Sequence, residues 1–297
     1  MKNGEIFLTV FIFCIHFTIF HLPEKQNIVK IYIMKNELTF EDLISDLQEN
    51  GVQTSVKGGF KFTEMLHEES QKLMKVGSTS AHIEIPAKIS NLFTDFIKKC
   101  VEYEDDVTDI TSTVTVDIKP LLLNELRRIT LGDVYVSEEE AEYTITEVTD
   151  ADFKKVVKPT VVKFNKFGIR ISAPTLDKEK TINNQLIADL GTYRNKKQLK
   201  DSDYGEIADL YQTYEIMKYI TEIDCNGSTY DFESSPKNKK FKLISSLPQK
   251  VVAEINDYIE KVKENERKAC TVINKETKEE EQIDLNTLFF VRNSRKK

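Results

Sequence analysis

The sequence predicts an α+β protein, helix-rich, with amphipathic helices packed on short antiparallel strands and a C-terminal hairpin. Three observations carry this. In several separate segments apolar residues recur at i, i+3, i+4 and i+7, the spacing of one helix face. Between them lie short runs rich in Val, Ile, Tyr and Phe, bounded by Gly, Pro or Asn, the pattern of strands and turns. The composition is globular: 40% of the 297 residues are hydrophobic and 31% are charged. A soft boundary near Val148–Pro159 divides the chain into an N-terminal region, 34–150, and a C-terminal region, 151–297, both α+β.

In the first half, "TFEDLISDLQENG" reads as a short helix with Thr39 as N-cap, Glu41 and Asp42 at its positive end and Gly51 as its stop. "VKGGFKFTEML" reads as a turn at Gly58-Gly59 and a strand. "AHIEIP" reads as a short strand ended by Pro86. "KISNLFTDFIKKCV" is the clearest helix, because Ile89, Leu92, Phe93, Phe96, Ile97 and Cys100 share one face. An acidic loop, "EYEDDVTD", follows. In "VDIKPLLLNELRRITLGD" the sequence places Asp117 as N-cap, Pro120 in the first turn and Gly132 as the stop, with Leu121, Leu122, Leu126 and Ile129 on the apolar side. "VYV" and "EYTITEV" alternate as strands.

In the second half, "VVKPTVVKFNKFGIRISAP" reads as two strands around Asn165–Gly168. "KTINNQLIADLG" reads as a helix stopped by Gly191, and "NKKQLKDSDYGE" as a polar linker. "DYGEIADLYQTYEIMKYITEI" reads as a long helix, with Asp203 and Glu206 as a capping pair and Ile207, Leu210, Tyr211, Tyr214, Met217 and Ile220 as its buried stripe. "FKLISSLPQKVVAEINDYIEKVKENERK" opens as a strand and turns into a helix capped by Ser246 and Gln249. Pro248 lies in the first turn of that helix, and Val251, Val252, Ile255, Tyr258, Ile259 and Val262 line one face. "ACTVINKETKEEEQIDLNTLFFV" closes as a hairpin with a charged tip.

Residues 1–33 form an apolar leader with three readings. The run Ile6–Leu22 is near the short limit for a spanning helix, which needs roughly 20 residues, and it carries His16 and His21. As a signal peptide it lacks a clean basic start and a small-residue cleavage site. Its Phe-, Ile-, Lys- and Asn-rich composition also fits translated non-coding sequence ahead of a start at Met34. An over-extended start, a membrane anchor and a signal peptide are the three expectations, in that order.

A net charge of −7 and a pI of about 5.4 argue against a nucleic-acid-binding surface, which needs a basic face to neutralise phosphates. Cys14, Cys100, Cys225 and Cys270 are scattered and include no C-x-x-C, so they read as small apolar residues in a reducing compartment rather than a disulfide or zinc framework.

Catalytic signatures are sparse. "LHEES" around His67 lacks the second histidine of H-E-x-x-H. Gly58-Gly59 lacks the rest of a phosphate-cradling loop, and neither G-x-S-x-G nor G-x-G-x-x-G occurs. The acidic run Glu102 to Asp109 has no glycine and the wrong spacing for a calcium loop. Catalytic, cofactor-binding and metal residues are therefore expected to be none. Arg127 and Arg128 follow a dense leucine run and have two readings. They are cations favoured at an exposed helix C-terminus, or a partner-binding edge, since arginine is enriched at interfaces.

Three stretches also carry a resemblance. "FIKKCVEYEDDVTDITSTVTVDIKPLLLNELRRITLGDVYV", then "YEIMKYITEID", then "LISSLPQKVVAEINDYIEKVKENE", with "LFF" near the end, resemble in order the baseplate hub assembly proteins of T-even-type contractile-tailed bacteriophages. The resemblance spans Phe62 to Phe290 and rests on apolar periodicities and a Leu-Pro helix start. It implies a non-enzymatic viral protein that builds the central hub of the tail baseplate by binding other hub proteins in the host cytoplasm. It implies no cofactor and no nucleic-acid partner, and a membrane contact only if the leader is real. The alternatives are a structural subunit of the virion baseplate and a membrane-anchored binding protein.

Overall fold

The computed structural model of the protein describes residues 41, 43–45, 47, 51–104, 108–137, 141–196 and 198–289. The leader, Thr39, most of the acidic loop's tip and the basic C-terminal tail lie outside the described residues. Glu41, Leu43, Ile44, Ser45 and Leu47 are helical, as the sequence predicts, and the Gly51 N–H donates to the Leu47 carbonyl at 3.1 Å. Among its described residues the unit Leu47–Lys297 combines helices with three small antiparallel sheets, so the α+β class holds.

The first sheet is β1 (Thr54–Lys57), β2 (Phe60–Thr63) and β3 (Val101–Tyr103), in that order. Gly58 and Gly59, at φ 64° and 84°, make the tight turn between β1 and β2. Helix α1 (His67–Thr79) and a 3-10 turn (His82–Glu84) lead into α2 (Ile85–Cys100). The structure departs from expectation twice here. "AHIEIP" is not a strand, because Pro86 sits in the first turn of α2, where its fixed φ and missing N–H start a helix rather than end a strand. Residues 67–79, unassigned from sequence, are helical. The α2 face is as expected: Ile89, Phe93, Phe96, Ile97 and Cys100 are buried, with Leu92 at the margin.

After α3 (Ile110–Thr113), helix α4 (Lys119–Leu131) is buried on every side along Lys119–Arg127. It packs against α2, β2, α9 (Glu264–Ala269) and the 3-10 turn Leu285–Phe289. Gly132 ends it at φ 79°, as the sequence predicts. Asp117 does not cap it. Its carboxylate accepts from the Thr115 hydroxyl and, at 2.9 Å, from the Val157 N–H, so it ties two loops instead.

The second sheet runs β11 (Glu280–Gln282), β10 (Thr271–Asn274), β5 (Glu142–Ile145), β4 (Val134–Val136). The C-terminal hairpin thus returns to pair with β5, Val272 opposite Ile145. Asn124 on α4 secures the return, donating to the Ala269 carbonyl at 2.7 Å.

The third sheet is a meander of β6 (Thr160–Phe164), β7 (Phe167–Ile171), β8 (Ile220–Cys225) and β9 (Ser228–Asp231). Between β7 and β8 lie α5 (Leu176–Arg194) and α6 (Asp201–Tyr219). Helix α5 starts earlier than the sequence indicates, capped by the Thr175 hydroxyl, and runs through Gly191. Helix α6 starts three residues before Tyr204, with the Asp203 carboxylate accepting the Lys200 N–H at 2.9 Å. It stops at Tyr219, where the β-branched pair Ile220-Thr221 opens β8. "FKLIS" is not a strand but the end of α7 (Lys237–Ser245), started by Pro236, and α8 (Gln249–Val262) is started by Pro248 without a side-chain cap from Ser246.

Two hydrophobic clusters fill the interior. One gathers α2, α4, the first sheet and Leu288–Phe289. The other lies between the third sheet and α5, α6 and α8. Burial raises the Cys100 thiol to about 11 and the Cys270 thiol to about 12, so both behave as apolar side chains. Among the described residues no helix is long and apolar enough to cross a membrane.

Candidate functional site

Arg127 is not on an exposed edge. It is 1% exposed, and its guanidinium is used inside the protein. Nε donates to the Leu288 carbonyl at 3.0 Å, Nη2 to the Val134 carbonyl at 2.8 Å, and Nη1 to the Gly132 carbonyl. Burial pushes its pKa down to about 10, with Asp133 opposing. Among the described residues no carboxylate is paired with it, so three backbone dipoles carry the charge. The expectation that Arg127 presents itself to a partner is corrected by this geometry. Arg128, one position on, points elsewhere: its side chain is 24% exposed and lies 3.3 Å from Glu125 and 3.5 Å from Glu147. Lys57 meets the same two carboxylates at 3.0 and 2.8 Å. Arg128 therefore belongs to a four-membered charge cluster at the margin of the first sheet.

A second set of ionisable groups lies in a cleft of about 220 Å³ where α2, α4, α5, α6 and α9 converge. At its floor is Lys119, from the first turn of α4. Its ammonium donates to the Ser90 carbonyl and hydroxyl, each at 2.8 Å, and to Glu179 at 2.6 Å. The Ser90 hydroxyl in turn donates to the other oxygen of Glu179 at 3.1 Å, which closes the triangle. Burial lowers the pKa of Lys119 and Glu179 resists it.

A second layer stands above. Lys218 pairs with Glu215 at 2.9 Å, and Lys263 approaches Glu215 at 3.6 Å. Burial works against the charge on Lys218, but Glu215 and Glu179 outweigh it and the pKa rises. Burial likewise works against the charge on Glu215, and Lys218 and Lys263 outweigh it. Glu266, also on the cleft wall, is shifted upward by burial, with Lys263 opposing and Asp284 adding to the rise.

Chemically the cleft is a set of mutually neutralised charges. All three hydrogens of Lys119 already have acceptors, so it offers no lone pair and no free donor. Among the described residues no group of three or more His, Cys, Asp or Glu side chains is placed to hold a metal ion. Sequence patterns do not reveal this cleft because its members are far apart: Ser90, Lys119, Glu179, Glu215 and Lys263 come from separate parts of the chain. The one local signal is Lys119 itself. A lysine in the first turn of a helix opposes the positive end of the helix dipole, and here the Glu179 carboxylate offsets it.

No curated protein and no solved structure matches the chain. A family model described as T4 bacteriophage base plate protein matches residues 35–290. That span takes in all three sheets, both hydrophobic clusters, the Arg127 anchor and the charged cleft, and the chain belongs to the family of T4 bacteriophage base plate proteins.

Proposed function

We propose that this protein is a baseplate hub assembly factor, acting in the host cytoplasm by binding other hub proteins and without catalysis. Membership of the base plate family supports a role in the phage baseplate. The extent of the match supports the baseplate role, since it covers essentially the whole described fold and not an appended module. The finer reading rests on the resemblance to hub assembly proteins in the order of the helical segments. A non-catalytic role is supported by the cleft, where the buried lysine and its carboxylate are committed to each other and to Ser90.

The test is a phage lacking the protein. Infected cells are expected to accumulate filled heads without complete tails, and the supplied protein is expected to restore tails. Normal tails in its absence would overturn the assembly role. Mass spectrometry of purified particles separates the transient factor from a structural subunit: the factor is expected to be absent from the finished virion, and stoichiometric recovery would assign the protein to the baseplate itself.

A further inference from the structure

The inner face of the third sheet runs beyond its helical cover. Along β7 burial ends abruptly at the turn: Ile171 is 0% exposed and Ile169 3%, but Phe167 is 44% exposed. Phe164 on β6 stands directly opposite Phe167, so the hairpin ends in an aromatic pair on the inner side. Across from them, α7 and its connection to α8 present Leu243 and Leu247, both only partly buried. Between the two walls lies a groove of about 400 Å³.

The rim of this groove is charged with one sign. Lys239 and Lys242 line it, and no carboxylate does. Their neighbours on α7 are occupied: Lys237 pairs with Asp189 at 2.6 Å and the Lys240 ammonium donates to the Glu233 carbonyl at 2.7 Å. Among the described residues Lys239 and Lys242 take part in no ion pair. In a chain of net charge −7 an apolar groove with a purely basic rim is a local reversal of sign.

We propose that this groove receives an acidic amphipathic segment of another baseplate protein, an apolar side chain seated against Phe167 and Leu243 and carboxylates paired with Lys239 and Lys242. The proposal rests on the hub-binding role above and deepens it. An apolar anchor in a pocket supplies most of the affinity of such contacts, and rim charges set orientation and association rate. Rim pairing between exposed charges is screened by salt, so binding is expected to weaken as ionic strength rises.

The test uses the full chain and, as probes, the individually purified baseplate hub proteins of the same phage. One of them is expected to bind, with affinity falling at least tenfold in Phe167→Asp and at least tenfold in the double variant Lys239→Glu/Lys242→Glu. The lysines are exposed, so that double variant is expected to keep the thermal stability of the parent and to report on binding alone. A compensating Glu→Lys change in the partner's segment is expected to restore binding to the double variant. Binding by none of the hub proteins, or equal binding by all groove variants, overturns the proposal. Sedimentation showing a dimer that the groove variants dissolve also overturns it, since the occupant is then a second copy of the chain. Infection separates this proposal from the assembly role: if deletion abolishes tails but both groove variants restore them fully, only the groove is wrong; if deletion leaves tails normal, the assembly role itself is wrong.

Discussion

The Nε of Arg127 donates to the backbone carbonyl of Leu288, 161 residues later in the chain, at 3.0 Å. With its contacts to Gly132 and Val134, this one side chain joins the end of α4, the start of β4 and the final 3-10 turn. A planar fork of donors suits three carbonyls in different directions, which a lysine ammonium at the same position does not reach together.

Removing the fork leaves buried carbonyls without partners, at about 1–3 kcal/mol for each one that water cannot reach. Arg127→Ala is therefore expected to destabilise by several kcal/mol, and Arg127→Lys by more than half as much. Arg127→Glu is expected not to fold. Arg128→Ala, on a partly exposed cluster, is expected to cost about 0–1 kcal/mol. Urea unfolding of Arg127→Ala, Arg127→Lys and Arg128→Ala checks the order, and circular dichroism checks the failure of Arg127→Glu to fold; equal losses for the two alanine variants would contradict the anchor.

The Lys119–Glu179 pair gives a second prediction. Taking away one member of a buried pair strands the other, at about 3–5 kcal/mol, whereas replacing both with apolar residues of similar size is often neutral. Lys119→Met and Glu179→Leu are each expected to be strongly destabilising, and the double variant to recover most of the loss. A double-mutant cycle measures this. Additive losses would mean that the two residues act independently despite their 2.6 Å contact.

Legibility in the sequence followed the range of the interactions. The α2 face, the Gly58-Gly59 turn and the Gly132 stop are local patterns, and they appear where the sequence indicates. The turn at Asn226-Gly227, with φ of 52° and 82°, is equally local, since Asn-Gly between "ITEIDC" and "STYD" is a strong hairpin signal. The helical periodicity that runs on through Ile220 obscures it. Residues 237–245 mislead because "FKLI" alternates like a strand, while Pro236 and the packing of Ile244 set it as a helix. The role of Arg127 is not legible in the sequence, and of the cleft only Lys119 in the first turn of α4 gives a local sign. Whether a charge at the end of a leucine run faces water or a carbonyl from residue 288 depends on tertiary packing alone.

Asp152 gives a pH dependence. Its buried carboxylate accepts from the Thr149 N–H at 2.9 Å and hydroxyl at 2.7 Å, and from Lys155 and Lys268. Burial favours the neutral acid, but the Lys268 contact and the Thr149 donors outweigh it, so the pKa falls well below the usual 3.8. Asp109, held by Lys98 and the Thr111 donors, is likewise lowered to about 2. Folding lowers both values, so the unfolded chain binds more protons between the folded and unfolded pKa values, and stability rises with pH through that window. The contribution is expected to be complete above about pH 5 and to be lost progressively as pH falls below about 4, through about 2 for Asp109 and lower still for Asp152. Asp152→Asn is expected to be less stable at neutral pH and to show a shallower acid limb in urea midpoints measured against pH. An unchanged limb would remove Asp152 from the acid response.

The adjacent glycines of the first turn separate two reasons for requiring glycine. Both have positive φ, 64° at Gly58 and 84° at Gly59, a conformation that costs an L side chain about 1–2 kcal/mol. They differ in surroundings. A Cβ on Gly59 meets nothing within 4 Å, whereas one on Gly58 falls inside the contact distance of the Phe153 ring. Phe153 is buried and its ring lies tilted against that of Phe60, their centroids 5.6 Å apart, so it has little room to give way. The Gly58 N–H also donates to Asp150 at 2.8 Å, which holds the turn against the loop that carries Phe153. Gly59→Ala is therefore expected to cost only the backbone term, about 1–2 kcal/mol. Gly58→Ala is expected to add an overpacking term of about 1–3 kcal/mol. The double variant Gly58→Ala/Phe153→Leu tests the cause: a smaller side chain at 153 makes room for the new methyl, so the penalty of Gly58→Ala measured in the Phe153→Leu background is expected to shrink toward that of Gly59→Ala. An undiminished penalty would place the requirement for Gly58 in the backbone alone.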